Sequence, residues 1–87
     1  MYYLYILKCA DNTLYTGITT DLKRRVLEHN SSKLGARYTS SRRPVKIVYN
    51  KKYRDRSSAS KAEAIIKKLT RPKKLELIRK AHEYKIS

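Results

Sequence analysis

Phenylalanine and tryptophan are absent from this sequence, and cysteine occurs once, at Cys9. A single thiol excludes an internal disulfide and any metal site built on several thiolates, and it suits a reducing cytoplasm. The longest uncharged apolar run, Tyr2 to Leu7, falls far short of the ~20 residues that span a bilayer. Neither a basic n-region nor a cleavage site precedes it, so export through a signal peptide is not expected. No internal repeat or low-complexity block stands out. The polar stretch from Ser31 to Pro44 is short enough to be a loop, and the expectation is one domain over residues 1–87 with a small core.

Acidic residues are also scarce: 7 Asp and Glu stand against 22 Lys and Arg, for a net charge of +15. Every basic residue except Lys8 lies after Asp21, which leaves a nearly neutral N-terminal segment and a strongly cationic remainder. Such a field attracts polyanions, phosphate backbones above all. No basic amphipathic helix with an exposed aromatic face supports a membrane partner. The expected partner is nucleic acid.

The aromatic complement is made of 8 tyrosines. Tyr2 to Cys9 reads as a strand, Asp11-Asn12 as a turn and Leu14 to Ile18 as the return strand of a hairpin. A loop with an odd number of residues puts Tyr5 and Tyr15 on one face, and a two-residue turn puts them on opposite faces. Thr20 or Asp21 can cap a helix ending near Asn30, with Leu22, Val26 and Leu27 at helical spacing. Val45, Ile47 and Tyr49 alternate as a third strand. Ser57 or Ser58 caps a second helix with Ala59, Ala62, Ile65, Ile66 and Leu69 on its apolar side. Pro72 fits the first turn of a third helix carrying Leu75, Ile78 and Ala81. The order β-β-α-β-α-α predicts an α+β fold, a small three-stranded antiparallel or mixed sheet flanked by helices.

On a helical wheel with Leu22 at zero, Val26 falls at about 40°, His29 at about −20° and Arg25 at about −60°, while Lys23, Arg24 and Glu28 point elsewhere. His29 therefore lies in the apolar seam, as a packed core residue or as a functional one. Arg25 lies at the seam's edge, where it can snorkel or serve a site. Glu63 is the only acid between Asp55 and Glu76. It can pair with Lys67 at i,i+4, or it can ligate a cation such as Mg²⁺, which often takes one or two carboxylates and fills its octahedron with water and phosphate oxygens. The tyrosines can be packing or chemistry.

In one order these residues fit a known arrangement. "YLY" at residues 3 to 5, "YTG" at 15 to 17, Arg25 in "DLKRR", His29 in "LEHN" and Glu63 in "ASKAEAIIKK" resemble the GIY-YIG nuclease domain over nearly the whole chain. Stretches such as "KLGARYTSSRRPVKIVY" make the sequence similar to the small stand-alone bacterial members. Three positions depart from the family pattern. Tyr3 replaces the glycine of the first tripeptide, Ile18 stands where some relatives carry lysine, and no asparagine follows Asn50.

The resemblance implies a metal-dependent endonuclease that hydrolyses phosphodiester bonds with little sequence specificity, on DNA more than RNA. It implies Tyr5, Tyr15, Arg25, His29 and Glu63 as catalytic residues, with Glu63 holding one Mg²⁺ or Mn²⁺. Either tyrosine could be the general base or water positioner, a phenolate role requiring a lowered pKa. Lys33, Arg37, Arg42, Arg43, Lys51, Lys52 and Lys67 are expected to follow the nucleic-acid backbone. Tyr38 could stack on an unpaired base or anchor its loop. A monomer is expected, with room for a protein partner that supplies targeting. The alternatives are a nucleic-acid-binding module that keeps the fold without the reaction, and an adaptor for a larger complex.

Overall fold

The computed structural model describes residues 1–31 and 37–86, with the side chains of residues 37 and 83–86 outside the description. Strands β1 (Tyr2–Lys8) and β2 (Leu14–Thr19) form an antiparallel hairpin, and β3 (Lys46–Tyr53) joins the other side of β1, also antiparallel. The sheet order is β2-β1-β3. Helix α1 (Leu22–Ser31) follows the hairpin, a short helix α2 (Arg37–Ser40) lies inside the expected loop, and α3 (Arg56–Lys67) and α4 (Arg71–Ile86) close the chain. The α+β class and the β-β-α-β-α-α order are those expected, with α2 as the addition.

Alternation along β1 divides the core. Leu4 and Ile6 face one way and pack with Ile66 of α3, with Leu77 and Ile78 of α4 at the margin. Tyr5 and Leu7 face the other way and pack with Cys9 and Val45, against Leu22 and Val26 of α1. Fully burying such aliphatic side chains contributes roughly 1.5 to 3 kcal/mol each.

Local chemistry sets the helix ends. Asp21 starts α1, its carboxylate accepting from Arg24 N at 3.1 Å. Asp55, rather than Ser57 or Ser58, caps α3: it is extended (φ −139°, ψ 168°) and accepts from Ser58 N at 2.8 Å. A carboxylate in the cap position can satisfy an orphan N–H and oppose the positive helix end together, which a serine cannot.

Two further expectations are corrected. Leu27 and Ile65 are exposed, at 60% and 65%, because Leu27 falls at about 140° on the α1 wheel, away from the seam of Leu22, Val26 and His29, and Ile65 lies at the outer edge of the α3 stripe. Tyr49 does not share a face with Ile47. A β-bulge pairs Leu7 with Ile47 and Ile6 with Tyr49, so that Val48 is extra, and Val48 and Tyr49 both join the Leu4/Ile6 layer.

Candidate active site

The hairpin loop spans the five residues between the Lys8–Leu14 pair, an odd number, and Tyr5 and Tyr15 accordingly fall on one face, with ring centroids 6.4 Å apart. Gly17 lies directly across the ladder from Tyr5. A Cβ there would stand 2.6 Å from Tyr5 Oη and 2.8 Å from Cζ. The Tyr5 ring thus lies over bare backbone, a close approach that only glycine permits.

His29 reaches this face from α1 and is fully buried. Its ring is edge-on to both tyrosines, with centroids 5.9 Å from Tyr5 and 5.2 Å from Tyr15. Nε2 lies 3.0 Å from Tyr5 Oη, and Nδ1 lies 2.7 Å from Thr39 Oγ1. Burial first, then the charges of Arg25 and Arg43, press the His29 pKa down to about 4 against the opposing pull of Glu28. The imidazole is therefore neutral at neutral pH.

Arg25 sits at the edge of the seam, its side chain 25% exposed. Its guanidinium donates to Glu28 Oε1 at 2.9 Å and also acts on the Tyr5 hydroxyl as a hydrogen-bond donor. Burial works against its charge, but these two partners outweigh it and hold its pKa above the ordinary value. Tyr5 answers to several neighbours. Burial raises its pKa most, the Arg25 hydrogen bond and charge oppose this, and Tyr15 and Glu63 add to the rise.

Glu63, on α3, is the weakest of these influences on the Tyr5 phenol. Its own ion pair is with Lys67, 3.7 Å away across one helical turn. The i,i+4 pairing is present, and the Glu63 side chain remains 24% exposed.

The expected backbone-tracking residues are distributed unevenly. Tyr38 stacks on Tyr15 (5.9 Å, 28° between planes), and the Arg42 guanidinium lies over the Tyr38 ring at 4.1 Å. Arg42 also donates to Asp11 Oδ2 at 3.1 Å and Tyr38 O at 2.8 Å, and Arg43 donates to His29 O at 2.6 Å. These two arginines tie the loop to the hairpin and to α1. Lys51 and Lys52 are exposed on opposite faces of β3, since they pair with Leu4 and Tyr3 respectively. Lys52 is on the Tyr5 side. Lys33 and the Arg37 side chain lie outside the described residues.

Three participants escaped the sequence reading. Thr39 sits in a segment with no periodicity. Its only advance signal is that a histidine buried in an apolar seam needs two hydrogen-bond partners. Glu28 points away by wheel angle, yet two long side chains at i,i+3 meet regardless. Asp11 grips Arg42 from 31 residues away.

A protein-family model described as the GIY-YIG catalytic domain matches residues 1–76. This chain belongs to the GIY-YIG family. The UPF0213 protein of Desulfotalea psychrophila is 58% identical over 90% of this chain and 71% of its own length. That of Syntrophus aciditrophicus is 52% identical over 93% of both chains. Among solved structures, the solution NMR structure of a protein from E. faecalis is 46% identical, with a TM-score of 0.63, covering 93% of this chain and 85% of that one. The UPF0213 protein from Bacillus halodurans is 40% identical, with a TM-score of 0.58, covering 91% and 84%. The similarity to this GIY-YIG domain is thus spread over small proteins of comparable size. No helix among the described residues is long and apolar enough to cross a membrane.

Proposed function

We propose that this GIY-YIG protein is a metal-dependent endonuclease that hydrolyses phosphodiester bonds in DNA. The observation that supports it most is the buried contact of a neutral imidazole with a phenol, His29 Nε2 lying 3.0 Å from Tyr5 Oη, beside Arg25 at the edge of the same seam. The net charge of +15 supports a polyanionic substrate.

Hydrolysis requires a water to attack phosphorus as the bond to the 3′ oxygen breaks, with negative charge growing on the phosphoryl oxygens. Arg25 is the group for that charge, being permanently cationic, forked and braced by Glu28. Tyr5, whose pKa burial raises, remains a phenol and serves as an oriented partner for the attacking water rather than as a phenolate. Tyr15 packs beside Tyr5 and stacks on Tyr38, which ties the Tyr38 segment to this face.

Glu63 is the residue that would hold Mg²⁺ or Mn²⁺. Among the described residues no three His, Cys, Asp or Glu side chains gather in a metal-binding group. The donor set fits a hard cation bound through one carboxylate, its remaining ligands being water and substrate phosphate. Bound there, such an ion supplies Lewis-acid stabilisation of the phosphate and the leaving oxygen.

The Glu63–Lys67 pair favours a second reading, in which the lysine occupies the carboxylate and the protein binds nucleic acid without cutting it. Labelled single-stranded, duplex and branched DNA, and RNA, incubated with Mg²⁺, Mn²⁺ or EDTA, separate the two. Metal-dependent cleavage that disappears in Glu63→Ala and Arg25→Ala while binding persists supports the nuclease. Binding without cleavage on every substrate sinks it in favour of the module.

A further inference from the structure

Lys8 ends β1 on the side of the sheet away from Tyr5, in line with Leu4 and Ile6. Its neighbours across the two ladders are Leu14 on β2 and Lys46 on β3, so two lysines stand directly opposite each other. Like charges in that position are destabilising. Among the described residues neither lysine has a carboxylate at ion-pair distance, so no described acid offsets the repulsion.

The same lysine borders a recess of about 480 Å³ between the sheet and the start of α4. Its wall is aliphatic, with Leu14 and Val48 from the strands and Leu75 and Ile78 from α4. Leu75 is 43% exposed, so the wall reaches solvent. The rim is cationic: Lys8 and Arg71 line it, no acid does, and Lys46 lines an adjoining recess of about 330 Å³ that shares Lys8 and Asn12. Arg71 is tied in place, Nη2 donating to Asn12 O at 2.6 Å. Asn12 itself sits in the left-handed region of the hairpin turn, at φ 68°. A guanidinium carries five N–H donors, and the rest of this fork is available to a ligand.

A flat apolar ring suits the wall, and a phosphate suits the three cations beside it. A single nucleotide presents both, and the recess has the volume of a small-ligand pocket, which runs from about 300 to 1,000 Å³. We infer that this recess is a second nucleic-acid site, which takes one unpaired nucleotide of a strand with its base on Leu14, Val48, Leu75 and Ile78 and its phosphate among Lys8, Lys46 and Arg71. The inference rests on the reading that the protein binds nucleic acid, and not on its cutting it. This face is the reverse of the one that carries Tyr5 and Tyr15, so a strand seated here leaves the residues proposed for hydrolysis open. The phosphate contact supplies affinity without sequence information. The base seat selects single strands, because a paired base would first have to leave its stack.

The test maps amide and side-chain methyl shifts by NMR in EDTA, so that no strand is cut, on adding a short oligothymidylate, an abasic strand of the same length or a blunt duplex. Oligothymidylate should move the methyls of Leu14, Val48, Leu75 and Ile78, and the abasic strand and the duplex should leave them in place. The double variant Lys8→Gln, Arg71→Gln should weaken binding at this face by about tenfold or more, with shifts around Tyr15 retained and thermal melting confirming the fold. Methyls that oligothymidylate leaves unmoved, or that the abasic strand moves equally, overturn the inference, and both results are read on the wild type. A folded double variant that binds as tightly as the wild type overturns it too. So does a peptide rich in leucine and glutamate that moves the methyls when the strand does not, since the recess then docks protein. Wild-type protein that shows these methyl shifts but cleaves no nucleic acid with Mg²⁺ or Mn²⁺ upholds the site and overturns the nuclease reading alone.

Discussion

On one side of β1, Leu4 and Ile6 meet Ile66 in an aliphatic layer; on the other, Tyr5 and Leu7 share their layer with an imidazole, a threonine hydroxyl and a second phenol. The same strand supplies both, one residue apart. The aliphatic side is stabilised by non-directional burial and asks only for volume and fit. The polar side asks for partners, and it has them: among the described residues no buried side-chain nitrogen or oxygen lacks one. A chain this short has little stability to spare, and under the proposed function the layer of hydrogen-bonded rings is the working one.

The contrast can be broken most forcefully on the aliphatic side. Leu4→Ala should cost about 2 to 5 kcal/mol of stability, read as a lower urea midpoint, while the folded fraction keeps its kcat. A comparable loss of kcat per folded molecule would mean that the two layers are not separable. On the polar side, Tyr5→Phe keeps the ring and removes only the hydroxyl. Cleavage should fall by about 10²-fold, as for loss of one oriented polar group, and stability by about 1 to 3 kcal/mol, because His29 Nε2 loses its partner. Unchanged cleavage would transfer the water-orienting role to Tyr15.

Acid should act on one side alone. The His29 value of about 4 lies below the usual 6.5, so as pH falls the unfolded chain takes up this proton first. Stability is flat above pH 6.5 and declines between 6.5 and about 4, by up to about 3 kcal/mol. Asp11 and Asp55 have pKa values lowered from 3.8 by their hydrogen bonds to Thr13 and Ser58, so their contributions are lost only below that window. His29→Gln should flatten the decline measured by urea unfolding across this range. A decline of the same size in both proteins would place the sensitivity elsewhere. The smallest effect is expected from Glu28→Gln, which keeps a carbonyl acceptor for Arg25 but removes the charge that braces it. Cleavage should fall by about three- to tenfold, corresponding to the roughly 1 kcal/mol of a half-exposed ion pair.

Much of this division was legible in the sequence because it depends on period. The twofold alternation of β1 and the wheel position of His29 follow from backbone geometry alone, and both hold in the structure, as does the shared face of Tyr5 and Tyr15 once the turn is odd. The edge position of Arg25 was equally legible. Thr39, Glu28 and Asp11 were not. Thr39 and Asp11 join the network through contacts between segments 10 and 31 residues apart, which no local pattern encodes. Glu28 joins it through side-chain length, which a wheel of Cβ directions does not register. The cap of α3 was misplaced by two or three residues because Asp55, Ser57 and Ser58 are all competent caps, and only the path of the chain out of β3 selects among them.

The extra residue in β3 gives this strand an unusual tolerance. Deleting one residue from a β-strand ordinarily turns everything beyond it upside down. Here Val48 and Tyr49 already face the same way opposite Ile6. Excising Val48 would leave Ile47, Asn50, Lys51 and Lys52 each looking out of the side it occupies now, so β3 can be shortened at that point without exchanging its two surfaces.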